Sequence, residues 1–527
     1  MKAPFAFTAG LFFSVPILAG EIKFEDRTEQ SGLRESLRGI MGHGGAVGDV
    51  DGDGDPDFYV GGFADRPNEE YTPLSKPPSN RLLRNEGAGI FSVWEEPSVE
   101  IFARTSGAVF ADLDNDGDLD LYCANNAKAK TRRNEEPQIS AQVSLSRLFR
   151  NDGGTFVDVS ASSGACPEHL LSARNVGVFD YDLDGLLDLL VIEDTFTKDS
   201  GSQLLRNLGG LRFEEVNGST GVPEGLFGLG LAVADVNEDG RPDFFVGHSN
   251  RLFLSKGESS YVEDDGLNSV FEWDPLDGED WPCGAMFTDL NRDGRFDLVL
   301  SIHYKEARNR IYLHEGLKNG VPVFREITSE TGLPEAEIEK APHVEAQDFD
   351  NDGWPDLYFS TAKLRQDGSA IPLVYQHAGV KDGIPSFKPI SAWQDPGEPV
   401  YFPAGPSCDV DGDGRIDLLP INWFRGNESR LLWNASASEN AWLRISVVGK
   451  SFNRQGIGTR VEVFDRGNRI GCQEISTGYG YASGQEAKAH FGLGNARTVD
   501  VRIRFPNGQT RVVEGLGNLN REWVIEE

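Results

Sequence analysis

Short apolar runs rich in β-branched and aromatic residues recur along most of the chain, each directly after an acidic, glycine-containing stretch. Runs of this length that are bounded by turn residues predict buried β-strands rather than helices. The clearest runs are Phe58–Val60, Leu121–Tyr122, Leu189–Ile192, Phe244–Val246, Leu298–Leu300 and Leu357–Phe359. We therefore predict an all-β protein.

The acidic stretch before the first run, Asp49–Asp57, has aspartate at positions 1, 3, 5, 7 and 9 of a nine-residue loop. Related loops begin at residues 112, 180, 235, 289, 348 and 409, so the pattern recurs about every 60 residues. A period of this size accommodates four short strands, the unit of a β-propeller blade. The seven copies, called loops one to seven below, predict seven blades in which each loop is the hairpin turn between the first two strands.

Two further motifs mark the outer strands of the blades. The third strand is predicted from an Arg-Leu-aromatic type of run in Asn80–Asn85, Ser146–Asn151, Gln203–Asn207, Asn250–Leu254, Asn309–Leu313 and Ser429–Asn434. The fourth is predicted, after a glycine-rich turn, in Thr155–Val159, Arg212–Val216 and Val323–Ile327.

The N-terminal segment Lys23–Arg27 has the pattern of a fourth strand, although no blade precedes it. The seventh copy, conversely, reaches Asn434 without a fourth strand. We predict that residues 22–28 supply the outer strand of blade seven and so close the ring, which removes an exposed sheet edge. The predicted propeller spans residues 21–436.

The sequence changes character after about residue 436. Ala441–Val448, Thr459–Phe464 and Val499–Phe505 alternate apolar and polar positions, as half-buried strands do, and glycine-rich turns separate them. Residues 437–527 are therefore predicted to form a small second β domain.

The seven loops carry the chemistry that the sequence shows most clearly. Side-chain oxygens at positions 1, 3, 5 and 9, with the backbone carbonyl of position 7, form a hard ligand set that suits Ca²⁺, which takes 6–8 oxygens. These are not EF-hand loops, because position 12 lacks the bidentate glutamate. We predict about seven Ca²⁺ sites, held by Asp49, Asp51, Asp53, Asp55 and Asp57; Asp112, Asp114, Asp116, Asp118 and Asp120; Asp180, Asp182, Asp184, Leu186 and Asp188; Asp235, Asn237, Asp239, Arg241 and Asp243; Asp289, Asn291, Asp293, Arg295 and Asp297; Asp348, Asp350, Asp352, Trp354 and Asp356; and Asp409, Asp411, Asp413, Arg415 and Asp417.

Composition narrows the classes of partner. The 527 residues hold 84 Asp+Glu against 50 Lys+Arg, a net charge of −34, which argues against nucleic acid and anionic membranes as partners. Residues 1–20 have an early lysine, a short apolar core and small residues near Ala19, a pattern typical of a cleaved secretory signal. An uncleaved anchor is the alternative, and no other stretch is apolar enough to span a membrane. We expect a secreted, periplasmic or cell-surface protein.

At this point the motifs resemble a known family. Repeats of the form DxDxDGxxDL, followed by RLLRN and GxF, are similar to the FG-GAP/VCBS repeats of integrin-type β-propellers. Segments Asn453–Gly458, Gly478–Ser483, His490–Gly494 and Pro506–Gly508 are similar, in the same order, to an ASPIC/UnbV domain. The combination resembles the cartilage acidic protein family, although Phe505 stands where that family commonly has tryptophan. The resemblance implies a calcium-bound extracellular propeller of the matrix or cell surface, and it implies no reaction.

A second site is predicted from topology alone. Residues just before the first strand and just after the second strand of a blade lie on the face opposite the acidic loops, where propellers often bind ligands. The residues of this kind that we single out as a ligand face are His43, His248, His303, Tyr304 and His343. They are either a ligand or transition-metal site, or ordinary loop residues.

The sequence favours a binding role: a secreted calcium-binding propeller that acts in adhesion or as a module for an extracellular protein or carbohydrate. An enzyme of the carbohydrate lyase or dehydratase type, with its site opposite the calcium loops, is the alternative, by analogy of fold only. No GxSxG, HExxH or P-loop pattern supports a reaction. A purely structural assembly protein is the third hypothesis, and the oligomeric state and any catalytic residues stay open.

Overall fold

The computed structural model describes residues 21–66, 71, 74–126, 145–194, 201–273, 282–303, 308–334, 340–360, 374–390, 393 and 400–527. In these residues the protein is almost entirely β, as predicted from the apolar runs. Its α-helices are single turns, α1 Leu33–Ser36, α2 Ser160–Ser163, α3 Asn217–Thr220 and α4 Asp265–Asn268. Two 3-10 turns of the described chain cover Ser269–Phe271 and Thr328–Glu330.

Twenty-eight strands precede residue 436 in the described chain. They are β1 Phe24–Asp26, β2 Gly45–Gly48, β3 Asp57–Val60, β4 Arg81–Asn85, β5 Phe91–Val93, β6 Thr105–Ala111, β7 Asp120–Asn125, β8 Arg147–Asn151, β9 Phe156–Asp158, β10 Ala173–Phe179, β11 Asp188–Glu193, β12 Gln203–Asn207, β13 Phe213–Glu215, β14 Leu231–Ala234, β15 Asp243–Val246, β16 Arg251–Lys256, β17 Ser260–Val262, β18 Pro282–Thr288, β19 Asp297–Ile302, β20 Arg310–Lys318, β21 Val321–Glu326, β22 Val344–Gln347, β23 Asp356–Phe359, β24 Val374–Lys381, β25 Ile384–Ile390, β26 Ser407–Cys408, β27 Asp417–Leu418 and β28 Leu432–Asn434.

These strands form seven antiparallel sheets, each containing four strands of this set, which are the blades of a β-propeller. Blades one to six are built from consecutive strands, β2–β5, β6–β9, β10–β13, β14–β17, β18–β21 and β22–β25. The first strands from β2 to β22 lie next to one another around the centre. Each acidic loop joins the first strand of its blade to the second.

Blade seven combines the two ends of the propeller sequence. Its order is β26, β27, β28 and then β1, and β1 pairs antiparallel with β28 so that Phe24 lies opposite Asn434. Phe24 is buried and meets Phe349 of blade six edge to face at 5.5 Å. The N-terminal strand therefore covers the outer edge of the last blade.

A buried asparagine at the end of the third strand links neighbouring blades. The Nδ2 groups of Asn85, Asn151, Asn207 and Asn434 donate to the position 2 carbonyl of the preceding blade's acidic loop, at 2.7–3.1 Å. In blade six the Nε2 atom of His377 makes the equivalent contact with Leu290 O at 3.0 Å. Each link ties the position of one acidic loop to its neighbour.

The C-terminal residues form a second β unit. Its strands are β29 Ala441–Val448, β30 Arg460–Asp465, β31 Asn468–Glu474, β32 Ser483–Gly484, β33 Ala489–Gly494, β34 Val499–Arg504, β35 Thr510–Leu516 and β36 Arg521–Glu526. They give a three-stranded sheet, β33-β29-β36, and a four-stranded sheet, β31-β30-β34-β35, while β32 pairs with the propeller. The apolar core between these sheets is continuous with that of blades two and three.

Candidate metal centres and the central channel

The backbone of the acidic loops has one conformation in all seven copies. Position 4 is left-handed in every loop, with φ of 56–76°, although it holds Gly, Asn, Leu, Glu or Arg. Position 6 is always glycine, with φ of 84–107°. An L side chain rarely adopts these angles, so glycine at position 6 lets the loop fold back toward its own side chains.

Backbone amides hold the loop carboxylates in place. The position 1 carboxylate accepts from the amide of the position 6 glycine at 2.6–3.1 Å in every loop. One oxygen of the position 9 carboxylate accepts a hydrogen bond from the backbone amide of position 2, at 2.9–3.1 Å. Its other oxygen accepts a hydrogen bond from a backbone amide of the third strand, at 2.6–3.0 Å. Backbone hydrogen bonds alone thus orient these carboxylates toward one another.

In five loops this arrangement brings three carboxylates together, with ligand oxygens within 4.8 Å of one another. The groups are Asp49, Asp51 and Asp53; Asp112, Asp114 and Asp116; Asp180, Asp182 and Asp188; Asp348, Asp350 and Asp356; and Asp409, Asp411 and Asp417. Buried oxygens of Asp49, Asp114 and Asp182 have no hydrogen-bond partner among the described residues. A buried carboxylate oxygen without a donor is costly, which fits a place for a cation.

Burial disfavours the ionised form of these carboxylates. It raises the pKa of Asp57, Asp112 and Asp180 to about 7, and that of Asp120 to about 8. Neighbouring loop carboxylates raise each of these pKa values further. A divalent cation among them would favour the ionised forms.

Loops four and five differ, because asparagine replaces aspartate at position 3. A guanidinium contacts a loop carboxylate in both, Arg504 on Asp235 and Arg295 on Asp293, as Arg84, Arg206 and Arg415 also do in loops one, three and seven. The predicted oxygen ligands remain in both loops, with one carboxylate fewer.

The C-terminal unit lies over the face that carries the acidic loops. The backbone amide of Arg454 donates to Asn115 Oδ1 of loop two at 2.8 Å, and the guanidinium of Arg444 lies 3.6 Å from the carboxylate of Asp409 of loop seven. His490 is 2.9 Å from Asn351 Oδ1 of loop six. Residues 437–527 carry a net charge of +2 and the rest of the chain −36, so the contact joins a mildly basic unit to an acidic face. Sequence patterns gave no signal for this placement.

A loop of the C-terminal unit, Thr477–Gln485, enters the central channel, and we call it the plug. Ser483 and Gly484 pair in parallel with Gly45 and Ala46 of β2. The amide of Gly480 donates to Leu231 O and Ala285 O, each at 2.9 Å. The plug therefore touches first strands on several sides of the ring.

Two predicted ligand-face residues contact the plug. His343 is fully buried; its Nδ1 accepts from the amide of Tyr481 at 3.0 Å, and its Nε2 lies 2.9 Å from Glu345. Glu345 also accepts from Gln485 of the plug at 2.9 Å. At the far end of the channel, His43 Nδ1 is 2.9 Å from the Tyr481 hydroxyl. Burial lowers the pKa of His43 well below its usual value, and the charges of Arg174, Arg104 and Arg66 lower it further.

The histidines do not form a metal centre in the described part of the chain. Every group of ligand atoms within 4.8 Å there consists of aspartates only. His248 and His303 are half-buried, and Tyr304 lies outside the described residues. The hypothesis of a shared transition-metal site thus finds no geometric support, whereas a ligand contact at His43 stays a prediction.

Sequence reasoning missed the residues that join the parts of the molecule. An asparagine recurs at the end of the third-strand motif in several copies, and this recurrence was the sequence signal for its linking role. Glu345 and Gln485 carried no such signal, and Tyr481 stood in the Gly478–Ser483 motif, which marked the C-terminal domain but not its contact with the channel.

Comparison with known families agrees with this architecture. Residues 49–123, 180–246 and 289–359 match the FG-GAP-like repeat, and residues 449–527 match the family described as ASPIC and UnbV. The chain is thus an FG-GAP-repeat β-propeller protein with a C-terminal ASPIC/UnbV domain.

Among curated proteins it is similar to cartilage acidic protein 1. It is 26% identical to the protein of Homo sapiens over 89% of this chain and 69% of that one, and 25% identical to that of Mus musculus over 89% and 71%. Among solved structures it overlaps with the rhamnogalacturonan lyase YesW (TM-score 0.39, 14% identity, 76% of this chain and 73% of that one). It also overlaps with the V. cholerae biofilm matrix protein Bap1 (TM-score 0.32, 11% identity, 94% and 76%). No functional assignment follows from these two low overlaps.

Proposed function

We propose that the protein is a secreted, calcium-binding β-propeller that acts as an adhesion or ligand-binding module for an extracellular protein or carbohydrate. The observation that carries the calcium part is the convergence of three loop carboxylates in five of the loops, where single buried oxygens of Asp49, Asp114 and Asp182 have no donor among the described residues. Side chains at positions 1, 3, 5 and 9, with the position 7 carbonyl, would hold one ion in each loop.

Calcium would act mainly on stability in this proposal. An empty loop keeps several carboxylates close together with their pKa values raised by burial, so its carboxylates favour cation binding to the folded state. A ligand that binds only the folded chain adds about 2.7 kcal/mol per site when its free concentration is about 100 times Kd. Seven loops around one ring would make the ions a large part of the stability.

The extracellular part rests on the similarity to cartilage acidic protein 1 and on the loops themselves. Loops of this type fill where calcium is abundant, as it is outside cells. None of the helices in the described residues is long or apolar enough to span a membrane. The predicted signal, residues 1–20, lies outside the described residues.

Elemental analysis and thermal melts of the purified full-length protein, with and without a chelator, test the proposal. We expect about seven Ca²⁺ per chain and a fall in melting temperature of more than about 10 °C when calcium is removed. Little bound calcium, or a melt insensitive to the chelator, would refute the calcium part.

A pair of variants tests calcium binding by a single loop. Asp114→Ala removes the position 3 ligand of loop two and should lower the calcium content by about one ion per chain. Asp152→Ala is the control, because Asp152 is an exposed carboxylate paired with Arg150 rather than a loop ligand. Equal calcium content in the two variants would show that loop two is not a site.

A further inference from the structure

A cleft separates the C-terminal unit from blades three and four, on the face of the acidic loops. It has a volume of about 260 Å³, and residues of both units line it. Loops three and four form one wall with the ends of β10 and β14, and residues 457–458, 474–476, 504–506 and 508 form the other. Asp239 and Gly508, on opposite walls, are exposed, so the cleft opens between them. We call it the inter-unit cleft.

The inner end of the cleft is formed by Val233, Glu474 and Ser476, which are half-buried. A second cavity of about 80 Å³ shares these three residues and continues toward loops five and six. One water molecule takes about 30 Å³ in the liquid. The inter-unit cleft therefore has room for a small molecule rather than for a single water.

Two polar side chains at the inner end have unused hydrogen-bonding capacity. The hydroxyl of Ser476 makes no hydrogen bond to any described residue. The Oε2 atom of Glu474 accepts from the backbone amide of Asp235 at 3.3 Å, whereas its Oε1 atom accepts from no group in the described chain. Polar groups that line free space without a protein partner are available to water or to a ligand.

Both signs of charge occur on the walls. The charged residues that line the cleft are Asp180, Asp235, Asp239, Arg241, Glu474 and Arg504. Arg504 already pairs with Asp235, and Arg241 donates to the carbonyl of Glu258 at 2.8 Å. A charged ligand of either sign would meet groups of its own sign, whereas a hydroxyl group can both donate and accept. The walls thus favour a neutral ligand that carries hydroxyl groups.

The remaining surface of the cleft is mostly apolar. Val178 and Val233 lie on the propeller side, and Ile457, Phe505 and Pro506 lie on the side of the C-terminal unit. The Phe505 ring is held in place by stacking on Phe452, with 5.5 Å between ring centroids. Small-molecule sites commonly combine apolar walls with a few polar groups. A sugar ring matches this combination, because its C–H faces are apolar and its edge carries hydroxyls.

We propose that the inter-unit cleft binds a neutral, hydroxyl-rich ligand of the size of one sugar residue. This inference rests on the proposed role of the protein as a binding module and names the ligand class and the site of that role. It places the ligand on the face of the acidic loops, between the two units, rather than on the opposite face that topology alone favours. Both units are needed, since each supplies one wall.

The test uses the full-length, calcium-loaded protein and isothermal titration calorimetry at matched ionic strength. The neutral probes are D-glucose, D-galactose, D-mannose and L-fucose, and the charged probes are D-glucuronate and D-glucosamine. We expect at least one neutral sugar to bind saturably, and both charged sugars to bind more weakly than it does. Binding of none of the neutral sugars, or binding of a charged sugar as tightly as the best neutral one, would overturn the proposal.

Two variants of Ser476 locate the site. Ser476→Ala removes only the hydroxyl and should weaken sugar binding about 3–10-fold, the effect of one lost hydrogen bond. Ser476→Leu should abolish binding, because the larger apolar side chain occupies the inner end of the cleft. Ser329→Ala and Ser329→Leu are the matched controls, at an exposed position in the 3-10 turn after β21, and should leave binding unchanged.

The outcome is separable from that of the calcium proposal. Each protein is first checked for calcium content and melting temperature, so a failure to bind sugars in a calcium-loaded protein refutes the inter-unit cleft alone. Should Ser476→Leu fail to fold, Ser476→Ala still decides, because the loss of one hydroxyl without a protein partner is not expected to destabilise the fold. Unchanged sugar binding in Ser476→Ala would refute the assignment of the site to this cleft.

Discussion

At the scale of single residues, position 4 of the acidic loops shows how the fold overrides local preference. Leu183, Glu238 and Arg292 adopt φ near 60° there, a conformation in which side chains other than Gly, Asn or Asp are strained. The carboxylates at positions 1 and 9 of the loop accept backbone hydrogen bonds that fix its conformation, so the strain at position 4 is tolerated. The left-handed backbone is therefore a local source of strain at these positions.

Replacing Glu238 with asparagine should therefore stabilise the protein. Glu238 is exposed and left-handed at φ 60°, and asparagine tolerates this conformation better. We expect Glu238→Asn to raise the free energy of unfolding by about 0.5–1 kcal/mol, measured by denaturant titration in calcium. Glu168→Asn, at an exposed position outside the left-handed set, should bring no such gain. A loss of stability in Glu238→Asn would contradict the strain argument.

At the scale of elements, the plug is the segment through which the C-terminal unit contacts the first strands of the propeller. It has little regular structure of its own, since β32 is two residues long. Its order comes from hydrogen bonds to the first strands of the propeller and from the buried pair of His343 and Glu345. Those bonds satisfy backbone groups that would otherwise be buried in the channel without partners.

Gly480 is the position where the plug tolerates least change. It has φ of 74°, and a Cβ there would lie 2.7 Å from the His343 ring and 2.9 Å from Val344 O. Gly480→Ala should lower the free energy of unfolding by about 2–4 kcal/mol and loosen the contact between the units. Denaturant titration measures the first effect, and hydrogen exchange of Thr477–Gln485 measures the second.

Gly467→Ala is the control for this prediction. Gly467 has φ of 81° in the turn between β30 and β31, with no atom within 4 Å of an added Cβ. It should cost only the backbone strain, about 1 kcal/mol. Equal losses in the two variants would mean that the close approach inside the channel contributes nothing.

At the scale of the whole molecule, the ring is closed by a strand from its own beginning. The phenylalanine at the start of β1 and that of β13 occupy equivalent places, because Phe24 lies opposite Asn434 and Phe213 opposite Asn207. Both are buried, but only Phe24 joins two distant parts of the sequence. The strand therefore serves packing and closure together.

Phe24→Ala and Phe213→Ala should separate these two effects. Each leaves a cavity and should lower the free energy of unfolding by about 3–5 kcal/mol in denaturant titration. Only Phe24→Ala should also release the N-terminal segment, making residues 21–31 sensitive to limited proteolysis. Equal protection of this segment in both variants would show that closure does not depend on Phe24.

The sequence alone determined the repeated part of this protein. Apolar runs after each acidic loop predicted strands, the period of about 60 residues predicted blades, and both agree with the seven four-stranded sets of blade strands. The candidate metal ligands followed from the same loops, because side chains two residues apart in a tight turn must converge. Local spacing is sufficient where the interacting groups are neighbours in the chain.

Only the tertiary structure decided how the parts meet. That the C-terminal unit covers the acidic face, that Tyr481 reaches His43 across 438 residues, and that His343 supports the plug could not be predicted from spacing. Each of these contacts joins residues far apart in sequence and occurs once, so no periodicity records it. Burial and unsatisfied polar groups exist only once the chain has packed.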